Sequence, residues 1–492
     1  MRAVTGQKSA EIIVAGQSRP GEGSNNETQG ADGTTLNAWQ CPSGPHAPAA
    51  APHRALKQDE KMNKQYPELM TAVLSSDNLR RAWKRVKANR GAPGIDGVTV
   101  ADYPAWLRAH WTDIRTQLDQ GRYQPQAVRR VEIPKADGSK RPLGIPTIMD
   151  RVIQQAIAQV LSPIYEPQFS AASYGFRPGR NAHQAIRQVQ QHVKEGYRIA
   201  VDIDLAKFFD TVNHDVLMNL LGRTIRDKRL LSLIGRYLRA GVLVGEHIEP
   251  SAIGTPQGGP LSPLLANILL NELDHELERR GHRFARYADD MVILVKSQRA
   301  GERVMQSLTR YLEGRLKLKL NRQKSKVARM SDCGFLGFTI HGKKIRWQDK
   351  KLADFKHRIR ELTGRSWGVS MDYRLLQLRQ YVRGWLGYFG ISEYYRPIPE
   401  LDEWLRRRLR MCYWKQWRWP RTKIKHLLAL GVGLKTAIQH GVSSKSYWHM
   451  ARTPAMQQAL NNDWLKAQGL PSIKDLWCKA QGYSLSSSAP TR

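Results

Sequence analysis

The sequence predicts a mixed α/β (α+β) core followed by a separate helical module. Between about residues 130 and 345, extended apolar segments alternate with segments of helical periodicity, which is typical of a core with both strands and helices. After about residue 350 the helical period dominates. The length of 492 residues allows about three domains, which leaves room for both parts.

The chain begins with a segment that we expect to be disordered, residues 1–58. Within it, residues 15–55 are rich in Gly, Ser, Pro, Ala and Asn, and Leu36 and Trp39 are the only large apolar side chains there. Two such side chains bury too little surface to offset the entropy lost on ordering. Globular character is predicted to begin near Asn63.

Each element of the core has a local signal. Asp137-Gly138 between two extended arms predicts a hairpin, and Asn213 is a suitable N-cap for a helix. HRFARYADDMVILVKS predicts a strand, a turn and a strand, with a central strand over Met291–Val295. The predicted elements are a helix over 66–89, arms Arg130–Ile133 and Arg141–Ile145, a helix over Asp150–Leu161, a buried strand over Arg198–Leu205, and helices over 213–221 and Leu264–Leu277.

Charge is the strongest compositional signal. The 78 Lys and Arg exceed the 43 Asp and Glu by 35, and the pI is about 10.2. Self-repulsion on that scale favours a polyanionic partner such as nucleic acid. The four cysteines lie far apart without a CxxC pair, which disfavours a disulfide framework or a zinc finger. No apolar run approaches 18 residues, so we expect neither secretion nor a membrane span.

Three acidic residues are candidates for a metal site. Asp204 ends the predicted buried strand, and Asp289 and Asp290 form the tip of the later hairpin. If these strands are neighbours, the three carboxylates meet at one sheet edge, where their repulsion favours a bound cation. Mg²⁺ prefers such oxygen ligands, and two ions would suit phosphoryl displacement. The alternative is an ordinary Asp-Asp turn, because Asp tolerates turn conformations.

An ordered series of motifs runs along the chain. DLAKFFDTVNH begins at Asp204, TPQGGPLSPLLANILL at Thr255 and YADD at Tyr287. RPLGIPTIMDR, YGFRPGRNAHQAI, LKLNRQKSK and GFLGF belong to the same series, and YVRGWLGYFG and LRRRLRMCYWKQW come after it. The series resembles the reverse transcriptases encoded by bacterial group II introns, and the last two motifs resemble the maturase-specific thumb of that family. The resemblance covers about residues 60–480.

The resemblance implies a right-hand polymerase with fingers, a palm built from an antiparallel sheet with helices, and a helical thumb. The corresponding divisions are 1–58 for the leader, 59–165 for the fingers, 166–345 for the palm, 346–450 for the thumb or maturase (X) domain and 451–492 for a short basic tail, a remnant of a DNA-binding domain. The tail is too short for an HNH endonuclease domain, so the type lacking that domain is expected.

The family pattern also implies roles for palm residues. Asp204, Asp289 and Asp290 would be catalytic and would bind two Mg²⁺, with the carbonyl of Leu205 as a further ligand. Phe209 lies five residues after Asp204, at the family position of the aromatic that blocks a ribose 2′-hydroxyl, and this spacing disfavours the nearby acids Asp202 and Asp210. An ordinary core aromatic is the alternative for Phe209.

Further residues are implied to contact the nucleotide. Lys135 and Arg141 would grip the triphosphate, which suits the fork geometry of Arg. Gln257 and Gly258 would lie beside the nascent base pair, where a missing side chain permits close approach. Lys324 would protonate the departing pyrophosphate. The turn Phe335–Phe338 would support the primer end or would simply be a core hairpin.

A basic helical segment is predicted to bind RNA. Residues 401–430 carry nine Lys and Arg against two acids, interleaved with Trp and Tyr. Cations and aromatic faces together suit RNA phosphates and bases, although some of these aromatics will be structural. The candidate RNA-binding residues are Arg406, Arg407, Arg408, Arg410, Lys415, Arg418, Arg421 and Lys423.

The function implied is an RNA-directed DNA polymerase that binds its group II intron RNA, assists splicing and copies the RNA into DNA during intron mobility. Its partners would be intron RNA, an RNA template with a DNA primer, dNTPs and target DNA. Its cofactor would be Mg²⁺, and it would act in the bacterial cytoplasm. The alternatives are a diversity-generating, retron-like or CRISPR-associated reverse transcriptase, and a splicing-only RNA-binding maturase.

Overall fold

The computed structural model describes residues 66, 68–134, 140–244, 247–249, 253–254 and 258–483. The predicted leader and the Asp137-Gly138 turn lie outside these ranges. The described residues form two compact units: 66–189 with 197–328, and 190–196 with 329–483. The mixed α/β class expected from the sequence is confirmed. No described helix is both long and apolar enough to cross a bilayer.

Helices build most of the first unit. Their bounds are α1 Leu69–Val73, α2 Ser76–Ala88, α3 Tyr103–Asp119, α4 Ile148–Tyr165, α5 Ala182–Lys194, α6 Phe208–Thr211, α7 His214–Thr224, α8 Lys228–Arg239, α9 Ser262–Arg279 and α10 Gln298–Tyr311. The helix predicted over 66–89 is two helices, because Asn78 at the start of α2 donates its side-chain amide to the carbonyls of Val73 and Ala156. The cap at Asn213 is confirmed, since its side chain accepts the amide of Val216 at 2.9 Å.

The first four-stranded sheet contains the predicted basic hairpin. Its strands are β1 Val128–Pro134, β2 Lys140–Ile145, β4 Val242–Val244 and β5 His247–Glu249, in the order β2-β1-β4-β5. β1 and β2 are antiparallel, with Arg130 opposite Gly144 and Ile133 opposite Arg141. The hairpin predicted from its two extended arms is therefore confirmed.

The second four-stranded sheet carries the predicted acidic edge. Its strands are β3 Ile199–Ile203, β6 Arg283–Tyr287, β7 Asp290–Val295 and β8 Lys326–Arg329, in the order β6-β7-β3-β8. β7 is an internal strand, antiparallel to both β6 and β3. Its residues Met291–Val295 are buried, as expected for a central strand, and Met291, Ile293 and Val295 pack into one apolar core with α4, α8 and α9.

The second unit is mainly helical, as predicted. It has a two-stranded sheet, β9 Phe338–His341 with β10 Lys344–Trp347, followed by helices α11 Asp349–Leu362, α12 Met371–Phe389, α13 Pro397–Gln416, α14 Pro420–Ala429, α15 Leu434–Gly441, α16 Tyr447–Met450, α17 Pro454–Ala459, α18 Asn462–Ala467 and α19 Ile473–Ala480. The turn before β9 has Leu336 and Gly337 at positive φ, and the side chains of Phe335, Leu336 and Phe338 are buried. The buried side chains agree with the core-hairpin alternative, and support of the primer end by this turn stays a prediction.

Candidate active site and RNA-binding surface

Strand register brings the predicted acidic residues to one edge of the second sheet. Ile203 pairs with Met291, so Asp204 follows β3 at the level where β7 begins with Asp290. Tyr287 pairs with Asp290 across the hairpin, which leaves Ala288 and Asp289 in the turn. Asp204, Asp289 and Asp290 are all half-buried. The sheet therefore places these residues beside each other although 85 positions separate Asp204 from Asp289 in the chain.

Asp204 is fixed from a neighbouring segment. Its backbone amide donates to the hydroxyl of Ser325 at 3.0 Å, and its carbonyl accepts the amide of Asn321 at 2.8 Å. The ammonium of Lys324 lies 4.0 Å from the Asp204 carboxylate. The motif LKLNRQKSK therefore supplies both the support and the nearby positive charge of this acid.

Leu205 forms an isolated bridge with Leu320, so the predicted extra ligand is also held at this edge. The bridging hydrogen bonds use the Asp204 carbonyl and the Ala206 amide rather than the Leu205 carbonyl. This geometry is compatible with the ligand role that the family pattern implies for that carbonyl, which stays a prediction.

The competing acid Asp202 faces a different environment. Burial raises the pKa of Asp202 to about 6; the positive charge of Lys326 opposes this shift and the negative charge of Asp204 adds to it. Asp210, by contrast, is exposed. Neither acid follows the end of β3 at the level of the Asp289 turn.

The carboxylates fit a divalent cation in chemistry, although the side chains do not form a closed ligand cage. Among the described residues, no group of three or more His, Cys, Asp or Glu side chains is arranged to hold a metal ion. The donor set at the sheet edge nevertheless consists of carboxylate oxygens, which are the ligands that Mg²⁺ prefers. Their placement at one half-buried edge is what a cation between them would require.

A buried arginine supports the acidic turn, and it is not among the residues predicted from the sequence. Arg286 has no exposed surface, and its guanidinium forms an ion pair with Asp274 of α9, with an Nε–Oδ1 distance of 2.8 Å. The same guanidinium donates to the side chain of Asn267 at 2.8 Å and to the carbonyl of Ala288 at 3.0 Å. A buried charge needs such a full set of partners. The signal in the sequence was polar Asn267 and Asp274, which lie seven residues apart among the apolar residues of the buried face of α9.

The turn also packs against the backbone of another motif. A Cβ built on Gly175 would lie 2.3 Å from the amide nitrogen of Ala288, so only glycine fits there. Asn267 donates its side-chain amide to the Gly175 carbonyl at 2.9 Å, which joins the two segments. Ala288 itself has φ +57°, a conformation that non-glycine residues seldom adopt.

Phe209 lies on the short helix α6 after Asp204, and its turn is fixed by backbone contacts. Its ring is half-buried and meets the buried ring of Phe208 edge-on, with centroids 5.1 Å apart. A Cβ on Gly254 would lie 2.9 Å from the carbonyl oxygens of both Phe209 and Asp210. His214 Nε2 is 2.6 Å from the Gly254 carbonyl, which holds that glycine in place.

The structure describes the other predicted nucleotide-binding residues to different extents. Gly258 lies close to protein backbone, since a Cβ added to it would be 2.3 Å from the carbonyl oxygen of Gly144 in β2. The φ of Gly258 is +123°. Lys135 and Gln257 lie outside the described residues, and only the backbone of Arg141 is described, in β2. Their nucleotide-binding roles stay predictions.

The predicted RNA-binding residues separate into two groups. Arg410 is 6% exposed, and its guanidinium donates to the Leu460 carbonyl at 2.9 Å; burial lowers its pKa to about 10. Arg406 pairs with Asp402, Arg408 donates to Thr363, and Arg407 stacks 3.8 Å from the Trp448 ring centroid. Arg407, Arg408 and Arg410 thus connect α13 to other segments of the second unit, and Arg406 pairs within α13.

The remaining cations are accessible. Lys415, Arg418 and Arg421 are exposed, and Lys423 is half-buried over the ring of the buried Trp414. Trp419 is 63% exposed beside Arg418, whereas Tyr413, Trp414 and Trp417 are buried. The surface formed by Lys415, Arg418, Trp419, Arg421 and Lys423 is called the thumb cationic surface below.

Comparison with known proteins decides the family. Residues 133–340 match the reverse transcriptase (RNA-dependent DNA polymerase) family, and residues 352–431 match the group II intron maturase-specific domain. Protein YkfC of Escherichia coli K12 is 33% identical over 352 residues, which cover 63% of this chain and 92% of that protein. The chain belongs to the reverse transcriptase/maturase family of group II introns. RNA-directed DNA polymerase is therefore its enzymatic class.

The other comparisons include a second group II intron protein and two solved structures. The group II intron-encoded protein LtrA of Lactococcus lactis is 30% identical over 347 residues, which cover 57% of this chain and 58% of LtrA. A solved Cas6-RT-Cas1–Cas2 complex is similar at 26% identity with a TM-score of 0.34, covering 50% of this chain and 42% of that one. Telomerase from Candida albicans is 12% identical with a TM-score of 0.37, covering 73% and 71%.

Proposed function

We propose that this reverse transcriptase binds its group II intron RNA, assists its splicing and copies it into DNA during intron mobility, in the bacterial cytoplasm. The observation that carries the polymerase part is the register between β3 and β7, which places Asp204 beside the turn of Asp289 and Asp290. The match of residues 352–431 to the maturase-specific domain supports the splicing part.

In this proposal Asp204, Asp289 and Asp290 hold divalent cations, with the carbonyl of Leu205 as a further ligand. A pair of bound Mg²⁺ ions would activate a primer hydroxyl and neutralise the charge that develops on the nucleotide phosphates. Ser325 and Arg286 keep the carboxylates in place, because each bonds to the backbone that carries an acid. Lys324, at 4.0 Å from Asp204, holds a proton on Nζ for the departing pyrophosphate.

The segment that follows Asp204 would select the nucleotide. The half-buried ring of Phe209 would occupy the space of a ribose 2′-hydroxyl and so favour dNTPs. Gly258 would act indirectly, since its close contact with Gly144 joins the QGG loop to the hairpin that carries Arg141. Lys135 and Arg141 would bind the triphosphate, and Gln257 the nascent base pair.

RNA binding is proposed for the thumb cationic surface. Exposed cations bind phosphates, and the exposed ring of Trp419 can stack on an unpaired base. Arg406, Arg407, Arg408 and Arg410 would contribute mainly by holding the helices that present this surface, since each bonds to protein groups. Target DNA would be a second polyanionic partner of the strongly basic chain.

The decisive experiment separates catalysis from binding. Asp289→Ala should abolish extension of a DNA primer on an RNA template while leaving affinity for intron RNA within about twofold. Asp210→Asn is the matched control, because Asp210 is an exposed acid in the same motif as Asp204. It should extend primers at close to the wild-type rate. Extension at wild-type rate by Asp289→Ala would refute the site.

A further inference from the structure

One exposed aromatic next to the acidic turn has no role in the proposed mechanism. Phe176 belongs to the motif YGFRPGRNAHQAI and is 49% exposed. Its ring centroid lies 6.5 Å from that of Tyr287, the first residue of YADD. Tyr287 is buried, so the outer ring of this pair is Phe176.

The backbone of Phe176 is strained. Its φ is +56°, in the left-handed region where a side chain other than Gly, Asn or Asp is rare. Glycine would adopt this conformation without strain, yet the position carries a bulky ring that is not buried. Strain of this kind persists only where the surrounding structure enforces it, and it is found mainly at functional sites.

The neighbours of Phe176 enforce its conformation from both sides. Gly175 lies against the backbone of Ala288 so closely that a Cβ would be 2.3 Å from the Ala288 nitrogen. On the other side Arg177 is 8% exposed and donates to the Ser173 carbonyl at 2.8 Å and to the Glu166 carboxylate at 2.8 Å. The ring is thus held outward next to the turn of Asp289, which limits its freedom before any ligand arrives.

Cations follow Phe176 in the chain, on its own loop and on helix α5, and they indicate the class of ligand. A concavity of about 380 Å³ is lined by Tyr174, Gly179, Arg180, Gln184, Arg187 and Gln188. The Arg180 guanidinium lies 5.3 Å from the centroid of the Tyr174 ring, and Arg187 is exposed without an ion pair to a described residue. Cations on the segment that also carries an exposed aromatic suit a nucleic-acid strand, which offers phosphates and base faces together.

We propose that Phe176 stacks on a nucleobase of the primer–template duplex at the acidic turn and so positions the strand for extension. The proposal rests on the proposed polymerase function and adds a contact residue to it. A stacked base would cover the exposed ring, and the strained backbone would keep that ring in the orientation the base requires.

Three substitutions separate stacking from strain. Phe176→Ala removes the ring and keeps the positive φ, Phe176→Gly removes the ring and relieves the strain, and Phe176→Tyr keeps both. If Phe176 stacks, the Ala and Gly variants should each raise the Kd and the KM for primer–template about five- to 100-fold, with little change in the KM for dNTP. The Tyr variant should keep the wild-type Kd and KM for primer–template. Gly should also raise the melting temperature relative to Ala.

Tyr373→Ala is the matched control, since Tyr373 is an aromatic residue that is 47% exposed. It should leave both constants unchanged. A second measurement uses a primer with 5-iododeoxyuridine at its 3′ end: irradiation should cross-link it to a peptide that contains Phe176, and iododeoxyuridine far upstream should not.

The two proposals can fail separately. Unchanged primer–template constants in Phe176→Ala, with wild-type extension intact, would overturn the stacking proposal alone and would leave a protein partner as the occupant of this ring. Absence of extension by the wild type, with a Kd that still depends on the ring, would overturn the polymerase proposal alone.

Discussion

The guanidinium of Arg286 donates a hydrogen bond of 3.0 Å to the carbonyl of Ala288, the residue immediately before the acidic pair. Arg286 is itself held by the carboxylate of Asp274, which is also fully buried. Helix α9 thus sets the position of the turn through one buried ion pair. This relationship makes Arg286 a positioning residue for the acids, although it touches no substrate.

Arg286→Lys should therefore reduce kcat for primer extension strongly, at least tenfold, with little change in the KM for dNTP. A lysine keeps the charge but cannot reach Asp274, Asn267 and Ala288 at once. The lysine leaves part of this buried hydrogen-bond set unmade, so the midpoint of urea unfolding should also fall. Arg283→Lys, an exposed position of the same strand, is the control.

A double replacement distinguishes positioning from stability. Arg286→Met with Asp274→Leu replaces both charges by apolar side chains, which often restores the free energy of unfolding. Extension should stay impaired, because the hydrogen bond to Ala288 is still missing. Recovery of full activity together with stability would show that Arg286 matters for folding alone.

Phe209→Ala should weaken the discrimination against ribonucleotides. The ring is half-buried after Asp204, and its removal opens the space that a 2′-hydroxyl would need. We expect the ratio of kcat/KM for rNTP to that for dNTP to rise at least tenfold, measured by single-nucleotide extension. Phe209→Tyr keeps the ring and should keep the ratio. An unchanged ratio in the Ala variant would leave Phe209 as a core aromatic.

Asp150 offers a test through pH. It is 1% exposed and accepts hydrogen bonds from Tyr123, Tyr237 and Thr147, but burial raises its pKa above the ordinary value of 3.8. Because the folded-state pKa is the higher one, the stability it contributes is complete below pH 3.8 and is lost as the pH rises through the raised pKa.

Asp150→Asn removes this titration. The free energy of unfolding of the wild type minus that of the variant should therefore be largest near pH 4 and should shrink as the pH rises to 8, measured by urea unfolding. Asp77→Asn is the control, because that carboxylate is 88% exposed. A difference in unfolding free energy that grows as the pH rises would contradict the direction of the pKa shift of Asp150.

The thumb cationic surface can be tested by salt dependence. Replacing Lys415, Arg418 and Arg421 together by Gln should weaken intron RNA binding and reduce the slope of log Kd against log salt by about two to three. Arg81, Lys84 and Lys87, which are exposed on α2, form the control triple. Equal changes in slope for the two triples would show that the surface is not specific.

The elements with local signals were predictable from the sequence. The basic hairpin, the strand pair around YADD and the cap at Asn213 depend on turn residues, alternation and capping that act over a few positions. The split of the helix over 66–89 was not predictable in this way, because it depends on a bond from Asn78 to the distant carbonyl of Ala156.

The acidic residues of the candidate site could be predicted from the sequence, but the residues that hold them in place could not. Asp204 and Asp289 come just after strand ends and Asp290 begins β7, so pattern and family spacing both select them. Arg286 acquires its role only when α9 packs against the sheet, which no local pattern reports. The same holds for Arg410, whose burial against Leu460 depends on the fold of the second unit.

The central claim is that residues 204, 289 and 290 hold cations together, and metal-directed cleavage tests it most directly. With Fe²⁺ in place of Mg²⁺, ascorbate and peroxide should cut the chain near residue 204 and near residues 287–291, and excess Mg²⁺ should suppress both cuts. Asp289→Asn should weaken both together, and Asp210→Asn neither. Cleavage at one segment only, or at neither, would contradict the account.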